Sequence, residues 1–143
     1  MRMAMLSAEE LERLLRKEFS EAFHPDSGLA ILEVWHGGAR VRHEPPRNST
    51  RPGGTLSGPT LMMLADVSMY VAILASVGWV PLAVTTNLNI NFLRKPVPGP
   101  LIGECRLIKL GKRLAVGEVG IRCEGADELV AHATSTYSIP SNN

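Results

Sequence analysis

Pro59-Thr60-Leu61-Met62-Met63-Leu64-Ala65-Asp66-Val67-Ser68-Met69-Tyr70-Val71-Ala72-Ile73-Leu74-Ala75-Ser76-Val77 is the stretch on which the fold turns. Its apolar residues are too many for one stripe and wrap most of a helix's circumference, which predicts a helix over about Pro59 to Val77 that is buried nearly all round. Pro59 suits the first helical position, where its missing N–H has no intrahelical partner, with Ser57 or Gly58 at the cap and Gly78 at the far end. About 20 such residues could also cross a bilayer. Asp66, with Gly78 and Pro81 close behind, argues against a membrane span, because an aspartate near the middle of one costs roughly 2.5 to 3.5 kcal/mol.

The flanking sequence supplies the cover such a helix needs. After Pro81 the period changes: Val84, Thr86, Leu88, Ile90 and Phe92 alternate with Thr85, Asn87, Asn89 and Asn91, the pattern of a strand with one buried and one polar face. Beyond the Pro96-Val97-Pro98-Gly99-Pro100 break come three more strands, about Leu101 to Leu110, Arg113 to Glu124 and Glu128 to Ile139. They are separated by turns at Gly111-Lys112 and Gly125-Ala126-Asp127. Upstream, Leu29 to Trp35 and Ala39 to Glu44 form a hairpin about His36-Gly37-Gly38, followed by a loop from Pro45 to Gly54.

A surface helix from about Ser7 to Phe23 opens the fold. Ser7 and Glu10 make a capping box, and Leu11, Leu14, Leu15, Phe19, Ala22 and Phe23 share one face. His24-Pro25 ends it. Pro140 to Asn143 should fray. The sum is one α+β domain over residues 1–143, in which an antiparallel sheet curls around a long central helix.

Composition narrows the function. The 143 residues carry 15 Lys and Arg against 14 Asp and Glu, a formal charge of +1, which offers no basic surface for nucleic acid. Two cysteines, Cys105 and Cys123, set among strand residues, read as neither a disulfide framework nor a zinc site. The first residues lack the apolar core of a secretory signal, so a cytoplasmic protein is expected, and zinc, haem and nucleotide motifs are missing from the sequence, so no metal or organic cofactor is expected.

From Pro52 through Leu93 the only charged side chain is Asp66. A carboxylate inside the most apolar helix needs partners from elsewhere in the fold, a second subunit or a ligand, since no Lys or Arg lies within four residues of it. It is either a structural hydrogen-bonding group or a general base or nucleophile in a water-poor pocket. At the front of the same helix, Ser57-Gly58-Pro59-Thr60 offers free backbone N–H groups and the positive end of the helix dipole, suited to polarising a carbonyl or capping the helix. Gly58 and Asp66 are eight residues apart, roughly 12 Å along the axis. If both act on one bond, two copies of the helix must run antiparallel, which predicts a two-fold dimer with two equivalent sites at the interface.

Several segments together resemble the PaaI-like group of hotdog-fold acyl-CoA thioesterases. They are residues 54–66, with Ser57-Gly58-Pro59 and Leu64-Ala65-Asp66, residues 83–96, Gly111-Lys112-Arg113-Leu114, and residues 130–137. The resemblance implies a sheet wrapped around a central helix, homodimers or dimers of dimers, and cofactor-free hydrolysis of an acyl-CoA thioester. By that resemblance Asp66 activates water or attacks the carbonyl, the Gly58 N–H polarises the thioester oxygen, and Thr85 orients the nucleophile. The family commonly has His-Gly-Gly where this chain has Ser57-Gly58-Pro59, and asparagine where it has Arg51. Ser57 then stands in as the hydrogen-bonding cap, and Arg51 is a candidate for a substrate carboxylate or phosphate.

Arg94, Lys95 and Arg113 are candidates for the nucleotide phosphates of CoA, through charge-assisted hydrogen bonds. Met62, Met63, Met69 and Tyr70 are candidates for an acyl pocket, or simply core. Two other functions fit the same fold: a non-catalytic acyl-CoA-binding protein, and a hydratase or dehydratase. The latter wants a histidine beside its carboxylate, and His24, His36, His43 and His132 all lie outside the central helix.

Overall fold

A computed structural model of the chain describes residues 2–46 and 50–141. Positions 47–49 of the expected loop and 142–143 of the expected frayed end lie outside the described residues. The N-terminal helix divides in two, α1 over Ala8–Glu18 and α2 over Ser20–Phe23. The capping box at Ser7 and Glu10 forms as the sequence predicts. The expected single helix through Phe23 does not form, because the backbone turns at Phe19 (φ −135°, ψ 54°). That turn lets the Phe19 ring stand edge-on to Tyr70 at 6.0 Å while Phe23 is buried below it, so aromatic packing outweighs continuity of the helix.

A hairpin of β1 (Leu29–Trp35) and β2 (Gly38–His43) leads to the core helix α3, Gly58–Val77, and then to β3 (Val84–Phe92), β4 (Leu101–Leu110), β5 (Leu114–Cys123) and β6 (Leu129–Ser138). The six strands make one antiparallel sheet in the order β1-β2-β4-β5-β6-β3, curled around α3, which is the hotdog arrangement. β3 therefore pairs not with β4, its neighbour in sequence, but with β6, and lies on the sheet's outer edge.

The helix fits so closely because the strands that face it carry small residues. A Cβ on Gly103 of β4 would lie 2.5 Å from Ser68 Oγ and 3.1 Å from Leu64 Cγ, and one on Gly117 of β5 would lie 2.7 Å from Met69 Sδ. Ala115, Ala131 and Ala133 are likewise buried. The α3 hydroxyls inside this layer are satisfied: Ser68 and Ser76 donate to the carbonyls of Leu64 and Ala72, each at 2.7 Å.

α3 is long and apolar enough to cross a membrane, but 67% of its most apolar window is buried inside the protein. Burial is complete from Ser68 to Ser76 and not before. In the N-terminal half Pro59 and Met62 are exposed, and Met63, Asp66 and Val67 half-buried. These positions recur every three or four residues, so they form one face that the six strands do not reach. The expectation of all-round burial thus holds for half the helix only.

Strand β3 also departs from its simple alternation. Thr85 stands opposite Tyr137, but Asn87 stands opposite Thr136, so Thr86 is an extra residue and the pairing shifts there. This bulge reverses which side chains face the helix. Beyond it Leu88 and Ile90 pack toward the core, opposite Ser135 and Ala133, while before it Thr85, opposite Tyr137, is the residue whose side chain reaches the helix, and Val84 is 56% exposed. Phe92, expected among the buried set, is 52% exposed where it lies over the start of α3.

Candidate active site

Asp66 sits in the N-terminal half of α3, on the face the sheet leaves uncovered, and two hydroxyls converge on one of its oxygens. Thr85 Oγ1 donates to Asp66 Oδ1 at 2.6 Å, and the Tyr137 hydroxyl reaches the same Oδ1 at 2.7 Å. The Tyr137 oxygen is also 3.0 Å from the Asp66 backbone carbonyl, a second acceptor for its proton. Oδ2 has no hydrogen-bond partner among the described residues. The carboxylate is therefore held by one oxygen and offers the other.

Tyr137 is 2% exposed. Burial, helped by the nearby Asp66 charge, pushes its phenol far above the usual tyrosine range, so it remains a donor throughout the working pH range. Tyr137 is the member of this cluster that the sequence reading does not single out. The signal was present in β6, where Ala131, Ala133, Ser135 and Tyr137 alternate with His132, Thr134 and Thr136 and end a row of small inward residues on one large hydroxylated ring.

A cavity of about 480 Å³ opens beside the carboxylate, between the uncovered face of α3, the start of β3 and the Phe19–Ala22 segment. Apart from Asp66, Thr85 and Tyr137 its walls are mainly apolar, a usual composition for a small-molecule pocket. Of the residues expected to line an acyl pocket, Met63 and Tyr70 do so. Met69 is fully buried against Cys105 instead, and Met62 faces outward.

The start of α3 lies two turns from this cluster. Ser57 caps the helix, accepting the Thr60 N–H at 3.4 Å, and its Oγ is 2.9 Å from Thr60 Oγ1. The Gly58 N–H is at the first helical position, where no intrahelical acceptor exists. Space there is tight: a Cβ would lie 3.3 Å from the Phe92 ring, which would have to give by a few tenths of an ångström. Arg51 is exposed in the tight turn just before, its N–H donating to the Thr55 carbonyl at 2.6 Å.

The basic candidates are not gathered in one place. Arg94 is committed to Glu128 at 2.6 Å and to the Leu129 carbonyl at 2.9 Å. Lys95 is exposed beside it. Arg113 is at the opposite end of α3, on a cavity of about 690 Å³ shared with Arg2, His36 and Lys112. The structure thus brings Thr85 to Asp66, sets Ser57, Gly58 and Arg51 at the helix start, and separates Arg113 from Arg94 and Lys95. No three His, Cys, Asp or Glu side chains among the described residues converge as a metal-binding set.

This arrangement can activate a nucleophile at Asp66 Oδ2 next to an apolar chamber. Comparison with known proteins places the chain in a family. A model of the thioesterase superfamily matches residues 53–130. A provisionally named esterase of Saccharolobus solfataricus is 32% identical over 94% of this chain and 87% of its own. Among solved structures, a provisionally named thioesterase from Silicibacter sp. TM1040 is 39% identical with a TM-score of 0.85, over 96% of this chain and 94% of that one. A variant of the phenylacetic acid degradation protein PaaI from Thermus thermophilus is 27% identical with a TM-score of 0.70, over 85% and 98%.

Proposed function

The chain belongs to the thioesterase superfamily, with a PaaI-like hotdog fold, and on that premise we propose that it hydrolyses the thioester of a small, medium or aryl acyl-CoA, with Asp66 as the general base. The observation that carries this reading is the double hydrogen bond to Asp66 Oδ1, which leaves Oδ2 as the one carboxylate oxygen able to take a proton from water beside an apolar chamber. Water adds to the thioester carbonyl as its proton passes to Oδ2. The carbonyl oxygen becomes an oxyanion, and its collapse breaks the carbon–sulfur bond and releases the CoA thiolate, which takes up the proton. Water and acyl-CoA are the only other participants, and a reducing cytoplasm is where such a substrate would be met.

The oxyanion is stabilised by the Gly58 N–H and the positive end of α3. Within one chain that N–H is roughly 12 Å along the axis from Asp66. The partner in the reaction is therefore Gly58 of a second copy, with the two α3 helices antiparallel in a homodimer that can pair again into a tetramer. The exposed face at Pro59, Met62 and Asp66, and β3 on the sheet's edge, are the surfaces available for that contact. Ser57 holds the helix start in place, and Arg51 and Lys95, both exposed, supply positive charge for the CoA phosphates, whereas Arg94 is held by Glu128 and Arg113 stands at the far end of α3.

The test is thiol release from a panel of acyl-CoA esters by the wild type and by Asp66→Asn. The wild type should turn over part of the panel, and the variant should lose roughly 10²- to 10⁴-fold in rate, the range of general base catalysis. Asp66→Asn with full activity would remove the assignment of the base. A wild type that binds the esters and hydrolyses none would make the protein an acyl-CoA-binding module.

A further inference from the structure

The chamber beside Asp66 does not end in solid core. A second depression of about 300 Å³ adjoins it, bounded by Trp79, Leu82 and Glu18. The two share three residues, Phe19, Tyr70 and Pro81, which form the partition between them. Two of the three are fastened together: the Tyr70 hydroxyl donates to the Pro81 carbonyl at 2.7 Å, and Tyr70 is buried. Phe19 is the third. It sits at the break between α1 and α2, is 39% exposed, and meets Tyr70 through an edge-on ring contact at 6.0 Å.

We propose that Phe19 is a specificity-determining residue that ends the acyl pocket, so that the acyl group of the substrate terminates against the Phe19 and Tyr70 rings. The proposal rests on the thioesterase reading and adds the acyl limit to it. With the thioester carbonyl at Asp66 Oδ2, the acyl chain has the apolar wall of Met63 and Val67 on one side and the partition ahead of it. A longer chain has to pass the partition to reach Trp79 and Leu82. Tyr70 is held by its hydrogen bond, so the Phe19 ring is the part that must move or be removed.

The experiment is a homologous series of straight-chain acyl-CoA esters, short to long, hydrolysed by the wild type, Phe19→Ala and Phe19→Trp, with kcat/KM plotted against chain length. The wild type should rise with each methylene and then fall. Phe19→Ala should move the maximum to longer chains, raising the long-to-short ratio by up to roughly fourfold for each additional methylene that finds apolar cover. Phe19→Trp should move it to shorter chains. Phe19→Leu, which keeps an apolar side chain at the site, repeats the measurement if the alanine variant does not fold. Profiles superimposable on that of an active wild type overturn the Phe19 proposal and leave the thioesterase reading intact. A wild type that hydrolyses no member of the series removes that reading, and the proposal with it.

Discussion

Thr85 and Tyr137 stand directly opposite each other on β3 and β6, and their hydroxyls end on the same oxygen of Asp66. Cross-strand partners point to the same face of a sheet, so the pair acts as one two-pronged holder for the carboxylate. Each hydrogen bond to a charged group is worth about 1.5–3 kcal/mol.

Thr85→Val and Tyr137→Phe should each lower kcat by about tenfold or more with little change in KM, since each removes one prong and leaves the cavity's shape. Because both hydroxyls serve Oδ1, the double variant should lose less than the product of the single losses. Steady-state kinetics on the four proteins of the cycle checks this, and strict multiplicativity would show that the two hydroxyls act separately.

The protein has two tyrosines, Tyr70 and Tyr137, and burial raises the phenol pKa of both above the ordinary value of 10.0. Between that value and the folded-state values the native chain holds more protons than the unfolded one. The stability they contribute is therefore complete below pH 10 and is lost as pH rises beyond it. Tyrosinate absorbance should stay low at pH 10 and rise together with loss of the far-ultraviolet helix signal. An absorbance rise that clearly precedes unfolding would contradict the buried hydrogen-bonded phenols.

His43 points inward from β2, 4% exposed, and its Nδ1 has no hydrogen-bond partner among the described residues. Burial lowers its pKa from 6.5, opposed in part by a hydrogen bond to the Gly28 backbone. The unfolded chain thus takes up this proton first, so the contribution of His43 to stability is whole above about pH 6.5 and declines as pH falls through the window below it. Urea midpoints across that window should fall for the wild type and fall less for His43→Leu. Equal slopes would mean that the imidazole is not excluded from water.

Gly103→Ala should destabilise the fold by about 1–3 kcal/mol, because the added methyl meets Ser68 Oγ and Leu64 where the helix and sheet are in contact. A urea titration at neutral pH reads this as a lower midpoint with an unchanged slope.

Much of this architecture is legible in the amino-acid order. The unbroken apolar run of 59–77 and the alternation of 84–92 are strong periodic signals, and Asp66 is conspicuous as the sole charge between Pro52 and Leu93. What the order of residues does not carry is pairing between distant strands. Thr85 falls in the polar set of its strand, and only the register shift against β6 turns it toward Asp66. Tyr137 stands out in β6 only as a large hydroxylated ring after a row of small residues, and what it meets follows only once β6 is known to lie between β5 and β3. The break at Phe19 was hidden by a continuous helical stripe, because its cause is a ring 51 positions away on another element. Residue type marks Arg94, Lys95 and Arg113 as phosphate ligands, and type alone says nothing of a neighbour such as Glu128 that already occupies Arg94.

The placement of β3 against β6 has a consequence for how the molecule comes into being. Asp66 meets one hydroxyl from 19 residues downstream and the other from 71 residues downstream. Contacts between residues far apart in sequence close late and slow folding. As the chain leaves the ribosome, the carboxylate, its helix and Thr85 emerge well before β6, so the two-pronged holder cannot be complete until β6 has emerged and paired with β3. A chain in which β6 has yet to pair would therefore carry the acidic group with its holder incomplete, and a held Asp66 reports that this side of the sheet has closed.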